Sequence, residues 1–191
     1  MGMVYRFLAL FEAFTPAFWQ RFGKSEVVDR LGQPLMVFHG TTEAFDEIDN
    51  SAAQGIGTHF GTAAQASYCA GAPAKNKRPL DWHTPNSRVY PCYLRVENPA
   101  ELYDCGFNAA WTVLMHMEHS PHEILPPEEI MRLEQITKNL PDKEGIDIVK
   151  DALKAHGYDG VVYRNLTREG KGRSWIVFDN DQIIPAYCPA R

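Results

Sequence analysis

Hydrophobic positions along this chain recur in two periods, and the changes between them mark the elements. In residues 3–22, Val4, Leu8, Phe11, Phe14, Phe18 and Trp19 fall at three- and four-residue steps, the spacing of a helical face, and Thr15-Pro16 divides the stretch into two short helices. The runs Glu26-Val27-Val28 and Leu35-Met36-Val37-Phe38 flank a polar stretch containing Gly32, which predicts a hairpin whose second strand ends on His39. A short strand is predicted over 57–60. Thr62 then caps a helix running to Cys69 and carrying Tyr68. RVYPCYLRV alternates as a strand, with Pro91 arguing for a sheet edge or a bulge, and Asn98-Pro99 ends it. Helices are predicted over 107–118 and 127–139. Another begins after Asp142, where Ile146, Val149 and Leu153 make an apolar face that Gly157 terminates. Two strands at 160–163 and 175–178 enclose the polar loop RNLTREGKGRS, and a last strand is predicted at 183–187.

The number and order of these elements suit one packed core, and 191 residues with 45% hydrophobic composition supply it. We expect a helical arm over 1–23 and a single domain over 24–191. The net charge of −5 argues against the global basic field that drives non-specific nucleic-acid binding, and Lys75, Lys77 and Arg78 read as a solvated loop. Cys69, Cys92, Cys105 and Cys188 show no CxxC spacing and read as reduced thiols. The apolar start is interrupted by Glu12, and no run reaches the ~18 residues of a membrane helix. The expectation is a protein of the cytoplasm, or one delivered as an effector, without a membrane partner. Small residues over 51–57 suit a mobile lid, and 70–86, with Trp82, reads as an exposed loop.

Candidate chemistry is sparse. His116, His119 and His122 make an HxxHxxH string, but Ser120-Pro121 would break its helix and no nearby cysteine adds a ligand, so no metal is expected. A phosphate loop, a GxGxxG fingerprint and a GxSxG elbow do not occur. Three separated pieces are more informative together: HGTT after the apolar strand, GTHFGT leading into the helix with Tyr68, and SWIVF preceded by Glu169. A cleft between two small sheets holding a histidine, an aromatic face and an acid suits a dinucleotide with a leaving nicotinamide. Each piece alone also fits a plain structural role, such as a capped strand end for His39 or an exposed loop charge for Glu169.

The run FWQRFGKSEVVDRLGQPLMVFHGTT, the segment GIGTHFGTAAQASY and the tail GYDGVVYRNLTREGKGRSWIVFDNDQI together resemble phage- and prophage-associated ADP-ribosyltransferase-like domains. They are more distantly similar to the catalytic domains of poly(ADP-ribose) polymerases and diphtheria-type toxins. The resemblance covers most of the chain and least of 100–140. It implies an α+β fold, a split antiparallel β-sheet core flanked by helices, with NAD as the substrate.

By the same resemblance His39 holds the adenosine-side ribose, Gly40 contacts the nicotinamide amide through its backbone, Thr41 adds a hydroxyl, and Tyr68 packs on the nicotinamide. The second family tyrosine falls near His59 and Phe60, so this chain carries a histidine there. The family's catalytic glutamate immediately precedes the aromatic residue of the last motif. Here Ser174 precedes Trp175, and Glu169 is the nearest acid in the loop. Glu169 is therefore the expected acid, Ser174 the hydroxyl that polarises the substrate, and Arg164 or Asn165 the group that holds a pyrophosphate or ribose oxygen.

The leading expectation is a mono-ADP-ribosyltransferase that moves ADP-ribose from NAD to a macromolecular acceptor, protein or nucleic acid, with release of nicotinamide. The alternative is a catalytically degenerate nucleotide-binding or interaction module of the same fold. An RNA 2'-phosphotransferase of related fold ranks lower, since it wants several basic residues around a phosphate.

Overall fold

The structure, a computed structural model, describes residues 15–53, 55–71, 85–120, 122–165 and 170–186. Its first element is the second half of the expected arm; the helix expected before Thr15 lies outside the described residues. Helix α1 (Pro16–Phe22) starts on proline, whose missing N–H would be unpaired there anyway, and Thr15 Oγ1 accepts the Phe18 amide at 3.2 Å. Phe18 and Phe22 are buried against Tyr93 and Ile184, so α1 lies on a sheet face.

The remaining elements are β1 (Val37–Thr41), β2 (Thr58–Phe60), α2 (Ala63–Cys69), β3 (Arg88–Leu94), β4 (Pro99–Leu102), α3 (Ala110–Glu118), α4 (Pro127–Thr137), α5 (Asp142–Ala155), β5 (Gly160–Asn165), β6 (Gly172–Val177) and β7 (Ile183–Pro185). They build two sheets, one of three strands in the order β1-β3-β7 and one of four in the order β2-β6-β5-β4. All pairings are antiparallel except β4 with β5. The sheets meet where Phe38 of β1 and Gly61, just beyond β2, exchange both backbone hydrogen bonds. This is the α+β split-sheet core the resemblance implied, with one parallel pair at its edge.

The main core lies between the four-stranded sheet and α3, α4 and α5, with Leu114, Leu133, Ile146, Val149, Leu153, Val161 and Ile176 among its buried members. Burial of each such side chain is worth about 1.5–3 kcal/mol, which holds the three helices to the sheet. A second cluster, with Val37, Phe60, Leu94, Val162 and Trp175, binds the two sheets together. Among the described residues no helix is long and apolar enough to cross a membrane.

Several local expectations change in the fold. His39 is the middle residue of the five-residue strand β1, not its end, because β3 extends to Arg88 and supplies partners for His39, Gly40 and Thr41. The stretch 26–35 closes a turn, with Gly32 at φ 74° and one bridge between Val28 and Pro34, while β1 takes β3 as its partner. Pro91 lies in the central strand of its sheet, not on an edge. It is accommodated because its β1 partner, Phe38, turns both backbone groups toward Gly61, and because the β7 ladder ends there, with Ala186 N–H donating to the Pro91 carbonyl at 3.0 Å. Strand β4 had no expectation attached to it.

The segment before β2 is pinned at one end. Asn50, 7% exposed, accepts hydrogen bonds from the Thr58 amide and hydroxyl, both at 2.7 Å, and donates to the Phe178 carbonyl. Most of the loop expected over 70–86, including Trp82, lies outside the described residues.

Candidate functional site

Where the two sheets part, a cleft of about 210 Å³ opens between β1, β2 with the start of α2, β5, β6 and the turn after β4. His39 and Gly40 reach it from β1, and His59 and Phe60 from β2. Tyr163 and Ser174 reach it from β5 and β6, where they are direct cross-strand partners and so share a face. Gln65, Ala66 and Cys69 line it from α2, and Asp104, Gly106 and Phe107 from the turn.

The histidines are coupled through the backbone. His39 Nδ1 lies 2.9 Å from the His59 carbonyl, and a carbonyl only accepts, so Nδ1 carries the proton and Nε2 keeps its lone pair when the ring is neutral. Burial lowers the His39 pKa, opposed in part by this hydrogen bond, which favours the neutral ring. Burial, with a smaller contribution from the neighbouring His39, pushes His59 down to about 4. His59 Nδ1 is 3.1 Å from the Tyr163 hydroxyl, and its ring meets Phe107 and Tyr163 edge-on at 5.8 and 6.0 Å. At neutral pH the cleft therefore presents two uncharged imidazoles, a phenol and a serine hydroxyl. No lysine or arginine is among the described residues that line it.

The order of α2 follows from its start. Thr62 and Gln65 form a capping box, the Thr62 hydroxyl accepting the Gln65 amide at 3.3 Å and the Gln65 carbonyl oxygen accepting the Thr62 amide at 2.6 Å. Gln65 then donates to the Gly170 carbonyl at 3.0 Å, tying α2 to the approach to β6. The backbone of Ala66 fills the space beside Gly40, so the missing side chain admits a helix to the strand.

Of the residues singled out from sequence, His39, Gly40, His59, Phe60 and Ser174 converge on the cleft. Four described ones do not line it, one of them Arg164, which is exposed on β5. Thr41 closes the following turn, its hydroxyl accepting the Glu43 amide at 3.1 Å. Asn165, 2% exposed, is buried at the end of β5. Tyr68 lies on α2 roughly 100° around the helix from the middle of the face formed by Gln65, Ala66 and Cys69. Glu169 lies outside the described residues.

Tyr163, Phe107, Gln65 and Asp104 were not singled out. Tyr163 stood inside a quoted motif, but only its pairing with Ser174 sets it in the cleft. Asp104 has no local signal, because its place depends on the parallel pairing of β4 with β5. A larger groove of about 370 Å³ lies at the junction of α3, α4 and α5, lined by Trp111, Glu134 and Lys138 among others, and it shares no residue with the three motifs.

Comparison with curated proteins and with solved structures returns no significant match. A family model described as ADP-ribosyltransferase in polyvalent proteins matches residues 29–187, which takes in every wall of the cleft. The chain therefore belongs to the ADP-ribosyltransferase domains of polyvalent proteins.

Proposed function

We propose that this domain binds NAD in the cleft between its sheets and transfers a single ADP-ribose unit to a macromolecular acceptor, protein or nucleic acid, releasing nicotinamide. The observation that carries the reading is the convergence of His39, His59, Tyr163 and Ser174, from four different strands, on one pocket of an ADP-ribosyltransferase domain. The lone pair of His39 Nε2 accepts a ribose hydroxyl. Ser174, 3% exposed, offers a second polar contact to the sugar. Phe107 and Tyr163, with ring centroids 4.7 Å apart, and the His59 ring form an aromatic wall against which a nicotinamide ring can pack.

A volume of about 210 Å³ is below the roughly 300–1,000 Å³ of pockets that enclose a whole drug-sized ligand. The nicotinamide ribose half fits such a cleft, with the adenosine-side ribose held at its edge by His39 and the adenine extending outside. The absence of lysine and arginine from its described walls disfavours direct phosphate chemistry there, against the phosphotransferase reading. Cys92 and Cys105, in no disulfide, suit a reducing compartment such as the cytoplasm.

Loss of nicotinamide generates an electron-poor sugar centre, which a carboxylate stabilises. The sequence nominates Glu169 for that role from its place before SWIVF, and Glu169 lies outside the described residues, so an acid from the walls of the cleft is a separate candidate. Calorimetric titration with NAD, paired with measurement of nicotinamide release, tests the whole reading. Binding with release supports a transferase, and binding without release supports the degenerate nucleotide-binding module that Ser174, in place of the family's glutamate, would explain. No binding removes NAD from the account.

A further inference from the structure

We propose that Asp104, from the turn after β4, is the carboxylate that faces the sugar carbon from which nicotinamide departs, and is thus a catalytic residue of this domain. The proposal rests on the NAD reading above. Asp104 lines the same cleft as His39, His59, Tyr163 and Ser174, and it is the acidic residue among the described walls. Its Oδ2 is buried and has no hydrogen-bond partner. A carboxylate oxygen withdrawn from water without a donor is costly, and such groups concentrate where a ligand supplies the missing partner.

The described walls of the cleft supply no cation to pair with it. The cleft's imidazoles are held toward the neutral form by burial, and its described walls contain no lysine or arginine. The matching ligand is therefore a cation, or a sugar that becomes one, and both descriptions suit the nicotinamide riboside end of NAD.

The backbone holds the acid in place. Gly106 and Phe107 have φ of 84° and 51°, the latter a left-handed conformation that a phenylalanine adopts only at a cost. Two attachments hold it there: the Phe107 ring is buried beside Tyr163 at 4.7 Å, and the Phe107 carbonyl accepts the Ile56 amide at 2.9 Å. The parallel register that sets Leu102 beside Tyr163 brings the turn to the mouth of β5, and hence to the cleft.

In the step, the bond between the ribose C1' and the nicotinamide nitrogen breaks, and its electron pair goes to the nicotinamide ring, which leaves neutral. The positive charge moves onto the sugar, opposite the Asp104 carboxylate. A lone pair of the acceptor's oxygen or nitrogen forms the new bond to C1', and the acceptor's proton passes to the carboxylate and then to water. NAD is the only co-reactant besides the acceptor.

The test measures NAD affinity, nicotinamide release and thermal unfolding for the full chain and for Asp104→Asn. The expected result is release slowed about 100-fold, NAD affinity within about threefold, and a melting temperature unchanged or raised, since the amide is nearly the same size and the oxygen it replaces makes no hydrogen bond. A carboxylate that serves only the fold would lower the melting temperature instead. Asp104→Asn releasing nicotinamide at the parent rate overturns the proposal and leaves the NAD reading intact. A parent chain that neither binds nor cleaves NAD overturns both.

Discussion

Gly40 and Ala66 meet backbone to backbone: a Cβ built on the glycine would overlap the Ala66 carbonyl, so α2 lies directly against β1. The contact sets how far the helix that lines one wall of the cleft stands from the histidine strand that lines another. Gly40→Ala must push α2 away, and overpacking of this kind costs about 1–3 kcal/mol. For a domain of this size a loss of about 2 kcal/mol lowers the melting temperature by roughly 4–8 °C. Calorimetric melting of the variant, with an unchanged temperature as the contrary result, checks the contact.

His39 is expected to act on ligand rather than on folding. Its Nδ1 spends its proton on the His59 carbonyl, so Nε2 is the nitrogen available for a sugar hydroxyl. His39→Phe removes that acceptor, at about 1.5 kcal/mol or somewhat over tenfold in affinity. NAD titration of the variant, with melting as the control for fold, reads the difference; parent-like affinity would take His39 out of the binding site.

The acid side of the stability profile should carry the signature of His59. Its pKa falls from the ordinary 6.5 to about 4 in the folded chain, chiefly through burial. Between those values the unfolded chain binds a proton that the folded chain refuses, so stability rises with pH across that window and is flat above it. The contribution is up to about 3 kcal/mol, fully present above pH 6.5 and lost as the pH falls toward 4. Urea unfolding from pH 4 to 8 would reveal it, and His59→Gln should flatten the rise. A variant with the parent's slope would assign the effect to other groups.

Asn50→Ala should be among the more damaging single changes outside the cleft. It removes the acceptor of the Thr58 amide and hydroxyl and the donor to the Phe178 carbonyl, leaving buried polar groups without partners. A loss of about 2–4 kcal/mol is expected. Faster amide exchange at Thr58 than at the centre of β6 would locate the damage at the start of β2; uniform exchange would place it elsewhere.

Much of the helical and strand content was legible because its causes are local. The capping chemistry of Thr62, the periodic face of Ile146, Val149 and Leu153, and the stop at Gly157, with φ of 89°, operate within a few residues of sequence. Pro91 misled for the converse reason. A proline restricts its own N–H, but whether that matters depends on which neighbouring strand needs the bond, and Phe38 had already turned toward Gly61. Tyr68 stands off the face of α2 that lines the cleft, a rotation that no motif encodes.

What the sequence alone determined is most of the elements, the order of the three motifs, and through them the family. Which side chains share the cleft was decided by tertiary structure. Tyr163 stands with Ser174 because β5 and β6 pair in one register, and Asp104 joins them because β4 runs parallel to β5, so that its end opens at the same rim. Pairing between distant strands is governed by the burial of whole faces, a property of the assembled sheets and not of any local run of residues.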